Sequence, residues 1–196
     1  SSRQTTEGAA SLYLGSSAGI SSSAFLLYEI NTAGANMGES VSGAGDVNGD
    51  GYSDLLVGLK LYGAGGATTI YHGGPYGVAT NPSITRYSGS LGAHLGSSVS
   101  NAGDVNGDGY SDVVAGAPDA SNGQAGEGLA YIHYGGTAGL SAVPNVTLEM
   151  NVAGARFGAS VSSAGDVNGD GYADVIVGAP NSGNGRAYLF MGAPGG

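Results

Sequence analysis

Nine aspartates and three asparagines, set in three nearly identical nine-residue stretches, are the side chains of this chain best placed to do chemistry. The stretches are DVNGDGYSD at 46–54, DVNGDGYSD at 104–112 and DVNGDGYAD at 166–174. Each puts an oxygen-bearing side chain at positions 1, 3, 5 and 9 and leaves a backbone carbonyl free near position 7, the donor inventory that a hard cation of the calcium type takes. The expected ligands are Asp46, Asn48, Asp50, Tyr52 and Asp54 in the first loop, with each tyrosine acting through its backbone oxygen. Asp104, Asn106, Asp108, Tyr110 and Asp112 form the second set, and Asp166, Asn168, Asp170, Tyr172 and Asp174 the third. Three Ca2+ sites are therefore expected.

The glycines between the ligands serve the same end, because residues two apart must turn toward one centre. Gly49 and Gly51, with their counterparts Gly107, Gly109, Gly169 and Gly171, reach positive φ without steric cost. The spacing resembles the first nine positions of an EF-hand loop, but position 12 is Val57, Ala115 or Val177 instead of glutamate. Short apolar, mostly β-branched runs follow each loop, so it leads into a strand and not a helix. Asn-Gly-Asp-Gly is also common in plain hairpin turns. A turn alone, however, needs no carboxylate at positions 1 and 9, and all three copies keep both.

Around each loop the same order of segments recurs, with 58 residues from Asp46 to Asp104 and 62 from Asp104 to Asp166. A Gly-Ser-Val segment at 37–41, 95–99 and 157–161 reads as a first strand and the run after the loop as a second. The second ends in Gly-Ala-Pro at 116–118 and 178–180, while the first repeat departs with Gly58-Leu59-Lys60. A tyrosine-rich third strand closes on glycine at 68–73, 130–135 and 187–192. A fourth lies around Ile84 to Tyr87 and Val146 to Met150. Four short strands per ~60 residues fit one propeller blade, although commoner blades take ~40–50 residues. The fold class expected is all-β: about three four-stranded antiparallel β-propeller blades in an open arc, belonging to a larger or oligomeric propeller.

Phe157-Gly158, followed after a calcium-type loop by Gly178-Ala179-Pro180, resembles the FG-GAP repeat of integrin α-subunit propellers and many bacterial surface proteins. Met37 and Leu95 replace the phenylalanine in the first two repeats and keep an apolar plug. The resemblance implies a calcium-bearing propeller in extracellular recognition, and by itself no integrin-like ligand.

Residues 4–15 align with 124–135, so 1–34 reads as the third and fourth strands of a partial blade, the fourth at 24–29. Residues 35–90, 91–152 and 153–196 are then repeats one to three of a single segment, the last lacking its fourth strand. Thirteen strands result, and one third strand is surplus. An open arc leaves sheet faces bare, which points to a longer array or to self-association, either as a ring in which one copy's first strands complete another's last blade or as a filament.

The formal charge of −10 is mostly ligand inventory: nine of 15 acidic residues sit in the loops, and three divalent ions would bring it to −4. Five dispersed Lys and Arg offer no nucleic-acid patch. No run is long enough for membrane insertion, and the absence of cysteine leaves the redox compartment open. His72 and His133 fall on third strands one register apart, and His94 precedes a first strand. None has a carboxylate or nucleophile at a telling spacing, so they read as sheet-surface or rim residues. Glu7 and Glu127 share a repeat position that suits backbone support. Tyr62, Tyr76 and Tyr87 break the repeat and read as loop aromatics able to form a sugar- or protein-binding surface, and Asn145-Val146-Thr147 is an N-glycosylation sequon. The reading is a non-enzymatic, extracellular or cell-surface calcium module for adhesion, recognition or assembly. A self-assembling structural subunit and a carbohydrate-binding lectin are the alternatives.

Overall fold

The aliphatic and β-branched runs form short antiparallel strands, and the glycine-rich segments between them turn the chain back on itself. A computed structural model describes residues 7–195. The opening residues of the predicted partial blade, Gln4 among them, lie outside that range. The chain first forms β1 (Ala10–Leu12), a small hairpin of β2 (Gly15–Ser16) and β3 (Gly19–Ile20), and β4 (Leu26–Tyr28), with β1 paired to β4. A four-stranded meander follows: β5 (Met37–Gly45), β6 (Asp54–Leu59), β7 (Ala67–Tyr71) and β8 (Ile84–Tyr87). A second comprises β9 (Ser98–Gly103), β10 (Asp112–Ala117), β11 (Leu129–His133) and β12 (Val146–Leu148). The last sheet has three strands, β13 (Ser160–Gly165), β14 (Asp174–Ala179) and β15 (Arg186–Phe190). No helix occurs among the described residues, so none is present there to cross a membrane. The architecture is all-β, built of propeller-type blades that do not close.

Each sheet is apolar on both faces, so its core lies between sheets. Tyr28, Met37, Leu59 and Tyr71 join the β1–β4 pair to the first sheet. Leu56 and Ile70 meet Val113, Ala115 and Leu129 between the first and second. Val114 and Ile132 meet Phe157, Val175 and Val177 between the second and third. The plug positions Met37, Leu95 and Phe157 are all buried. Their N–H groups donate to Glu7 O, Gly65 O and Glu127 O, in the segments just ahead of β1, β7 and β11, at 2.8–2.9 Å. That approach requires glycine opposite: a Cβ on Gly58 would stand 2.0 Å from Gly96 O, and one on Gly116 1.9 Å from Gly158 O. Gly96 and Gly158 follow the plug residue, and Gly58 and Gly116 hold the position that opens Gly-Ala-Pro in the later repeats, so the signature encodes blade-to-blade contact.

Four details differ from the expectation. The fourth strands are shorter than predicted, at Leu26–Tyr28 and Val146–Leu148, and the β2–β3 hairpin was not foreseen. His133 is buried between sheets instead of lying on a surface or rim, with Nδ1 donating to Ser141 O at 3.2 Å. The structure also places the missing carboxylate: Asp119 Oδ2 lies 2.7 Å from His94 Nδ1, with Arg156 on its other oxygen at 3.2 Å. The 25 residues between His94 and Asp119 hid the pair.

Burial pushes the His133 pKa below its ordinary value. The folded state therefore favours the neutral ring, and the stability His133 contributes is fully present above pH 6.5 and lost as pH falls toward the lowered folded value. The same register position holds Tyr71 and Phe190 in the flanking sheets. His133→Phe is expected to lose less melting temperature than the parent between pH 7.5 and 5.5, by a few degrees on the scale of about 2–4 °C per kcal/mol. Parallel losses in parent and variant would assign the acid sensitivity elsewhere.

Candidate metal loops

Each nine-residue loop joins a first strand to a second, and a register shift at its mouth skips Ala44, Ala102 or Ala164. Such a bulge bends the strand and turns the chain out of the ladder. The loop then winds around its first aspartate. Asp46 Oδ1 accepts from Gly49 N at 2.7 Å and Asp50 N at 3.1 Å, and Oδ2 accepts from Gly51 N at 2.8 Å. Asp104 and Asp166 repeat these bonds at the same distances. Asn48 Oδ1 accepts from Asp50 N at 3.1 Å and Asp50 Oδ1 from Tyr52 N at 2.9 Å, so side-chain oxygens at positions 3 and 5 curl into the same turn.

Position 9 has a second task that the sequence did not reveal. Asp54, Asp112 and Asp174 are fully buried. Asp54 Oδ2 accepts from Val47 N at 2.9 Å and Oδ1 from Gly73 N at 2.8 Å, and Asp112 and Asp174 do the same at 2.8 and 2.9 Å. This carboxylate therefore staples the start of the loop to the end of the third strand. Among the described residues no group of three or more His, Cys, Asp or Glu forms a ready metal cluster, the loop carboxylates being drawn to backbone N–H groups.

The loops also bind one another. Ser111 N donates to Asp46 O at 3.0 Å and Ala173 N to Asp104 O at 2.9 Å; Gly136 N and Ala193 N donate to Val47 O and Val105 O. The position-7 tyrosine rings lie over the preceding loop, Tyr110 against Gly49 and Tyr172 against Gly107, where a Cβ would stand 2.5 Å from the ring.

Comparison with known proteins matches the FG-GAP repeat at residues 37–72, 95–133 and 157–190, the segments that carry plug, loop and third strand. The chain belongs to the FG-GAP repeat family. Mouse integrin alpha-IIb is 36% identical over 146 residues, covering 68% of this chain and 14% of the relative. Human integrin alpha-7 is 33% identical over 156 residues, 76% and 12%. Drosophila integrin alpha-PS5 is 42% identical over 105 residues, 53% and 10%. The chain thus spans about a tenth to a seventh of the length of these relatives.

Elsewhere in the FG-GAP chain, Glu127 accepts from Asn122 N at 2.6 Å and Gln124 N at 3.3 Å, the backbone support expected of it, and Glu7 is likewise buried. Tyr62 stacks on Tyr87, which ends β8 instead of lying in a loop, and Tyr76 is almost wholly exposed. Asn145 Oδ1 accepts from Tyr134 N at 2.9 Å, which fixes the sequon side chain on the surface.

Gly107 and Gly169 occupy the same loop position with φ of 77° and 76°, but only Gly107 lies under a tyrosine. Gly169→Ala is expected to lose about 1–2 kcal/mol through backbone conformation alone. Gly107→Ala should lose roughly 1–3 kcal/mol more through overpacking, and Tyr172→Ala should recover part of that excess. Equal losses in denaturant unfolding would remove the ring from the loop.

Proposed function

We propose that this FG-GAP chain is a calcium-stabilised, non-enzymatic β-propeller segment serving adhesion or recognition outside the cell or at its surface. Residues 35–90, 91–152 and 153–196 are its successive blades and 1–34 a partial one. The observation that carries the reading is electrostatic. Each loop supplies three carboxylates along with amide and carbonyl oxygens, and no sulfur or imidazole donor. No cation pairs with these carboxylates among the described residues. Burial pushes the Asp112 carboxyl up to about 6, and Asp108 and Asp104 push it the same way. Three carboxylates per loop without a counter-charge fit a hard divalent ion. In the second loop Asp104, Asn106, Asp108, Asp112 and the Tyr110 carbonyl would hold it, with the matching residues doing so in the other two. Bound Ca2+ supplies the missing positive charge, and the loop then ties first strand to second and each blade to the next. The integrin alpha relatives support the extracellular setting.

A specific observation favours self-association as a second reading. Val47, Val105, Leu56, Val114, Ile70 and Ile132 are buried by the following sheet. Their counterparts on the third sheet, Val167, Ile176 and Leu189, are 51%, 38% and 44% exposed. A blade of the same build, carried by a second copy of the chain, fits that face. Light scattering is expected to report a dimer or larger assembly that Val167→Ser with Ile176→Thr converts to monomer; a monomeric parent removes this reading.

A site held at a hundredfold calcium excess over its Kd contributes about 2.7 kcal/mol. At about 2–4 °C per kcal/mol, excess EDTA is expected to lower Tm by roughly 5–10 °C for each occupied site. Asp108→Ala should shrink the response by one site's share. An unchanged transition in EDTA would sink the calcium assignment.

A further inference from the structure

The connection from third to fourth strand carries an apolar hook whose burial depends on the sheet before it. In the second FG-GAP sheet the hook is Leu140, within Thr137-Ala138-Gly139-Leu140-Ser141, and it is buried among Val47, Ile70 and Val113 with Ile84 packed alongside. At the next junction the counterparts of those residues, Val105, Ile132, Val175 and Val146, line a cavity of about 150 Å³ with Phe190 and Met191. The socket for a hook is therefore built there as well. A hook of the same build lies at the opposite end of the molecule, in Ser17-Ala18-Gly19-Ile20-Ser21. Ser21 N donates to Leu14 O at 3.0 Å as Ser141 N does to Tyr134 O, and Gly19 shares the positive φ of Gly139. Ile20 is nevertheless 78% exposed.

The strand that follows this hook, β4, is held by β1 alone, over three residue pairs. β15 has the build of β1, Ala187-Tyr188-Leu189 against Ala10-Ser11-Leu12, and among the described residues its edge away from β14 is unpaired. Such an edge is a template for a further strand. The front of the first sheet is open in the complementary way. Val99 and Val161 are buried where β9 packs on β5 and β13 on β9, whereas Val41, at the same position of β5, is 60% exposed. It lines a cavity of about 450 Å³ with Leu12, Tyr28 and Leu55. Hook and socket, free strand edge and open front are thus matched between the two ends of one chain.

We propose that two copies of the chain exchange β4: Ile20 of one copy enters the 150 Å³ socket of the other, and its β4 pairs with β15, which takes the place of β1. Made reciprocally, the exchange closes a ring of six four-stranded blades and sets β13 of each copy against Val41 of the other. β1 is released as the surplus third strand. The inference rests on the self-association reading above and names the segments that carry it. The chain has no cysteine, so introduced thiols report strand pairs directly. The Tyr131–Thr147 register of the second sheet becomes Tyr188 against Leu27 between copies, at a Cα separation that a disulfide spans. With Ca2+ held constant, oxidising a mixture of Leu27→Cys and Tyr188→Cys chains is expected to give at least tenfold more disulfide-linked dimer than either variant alone. Adding Ile20→Asp to the Leu27→Cys chain should lower that yield at least tenfold. Ser11→Cys with Leu27→Cys in one chain joins register partners and locks β1 on β4. Light scattering should then show a monomer when oxidised and the parent assembly when reduced. Assembly that survives the lock, or cross-linking indifferent to mixing or to Ile20→Asp, overturns the exchange and leaves stacking through the open face standing; a monomeric parent overturns both.

Discussion

No sheet of this chain can bury its own apolar side chains; each depends on a neighbour lying face to face. Leu56 and Ile70 leave water only because Val113 and Leu129 arrive from the next sheet, and Val114 and Ile132 only because Phe157 and Val175 do. The hydrophobic gain thus accrues at junctions, where close packing demands that backbones nearly touch. Gly58 against Gly96 and Gly116 against Gly158 are where that demand is most severe, since any side chain there would hold the sheets apart. The repeat signature is best understood as the trace of this contact, with the plug filling the junction and the glycines permitting it.

The aspartate loops stand at the same junctions and answer to two masters. Within a blade, Asp54, Asp112 and Asp174 bind the loop to the end of the third strand. Between blades, the carbonyls of Asp46 and Asp104 accept from the next loop, and Tyr110 and Tyr172 cover the glycines behind them. An ion gripped by such a loop would stiffen the stack as well as the turn. Val167 of the last loop, with nothing stacked on it, is half exposed while Val47 and Val105 are buried, which shows how much of a loop's environment its neighbour supplies.

What repeats was legible in the sequence, because three copies of a local pattern report local physics. The loop spacing, the β-branched runs and the closing glycines located β5–β7, β9–β11 and β13–β15 to within a few residues. What escaped depends on contacts across a junction. The burial of His133 is set by the turn around Ser141, and the partner of His94 lies at the far end of the next connection, at Asp119. The β2–β3 hairpin, only two residues a strand, is too short for any periodicity to announce. The dual use of the position-9 aspartates was hidden for a different reason: one carboxylate serving loop and strand looks the same in sequence as one serving a metal alone.

This division also says where individuality can reside. A residue that recurs in all blades is constrained by stacking, and changing it disturbs every function at once. A residue that breaks the repeat is released from that constraint only if another interaction holds it in place. Arg86 meets the condition: it replaces the apolar residue found at Tyr28 and Leu148 and is retained by two carbonyls of the adjoining sheet. His94 and Arg156 meet it differently, adopting positive φ of 58° and 55° where Asn36 stands in the first repeat, a conformation asparagine tolerates better than either. Their shared grip on Asp119 compensates for that strain across the second junction. His133 meets the condition on a buried face, where it replaces Tyr71 and Phe190 and is satisfied by the Ser141 carbonyl, so a polar departure survives wherever a partner is supplied without opening the stack.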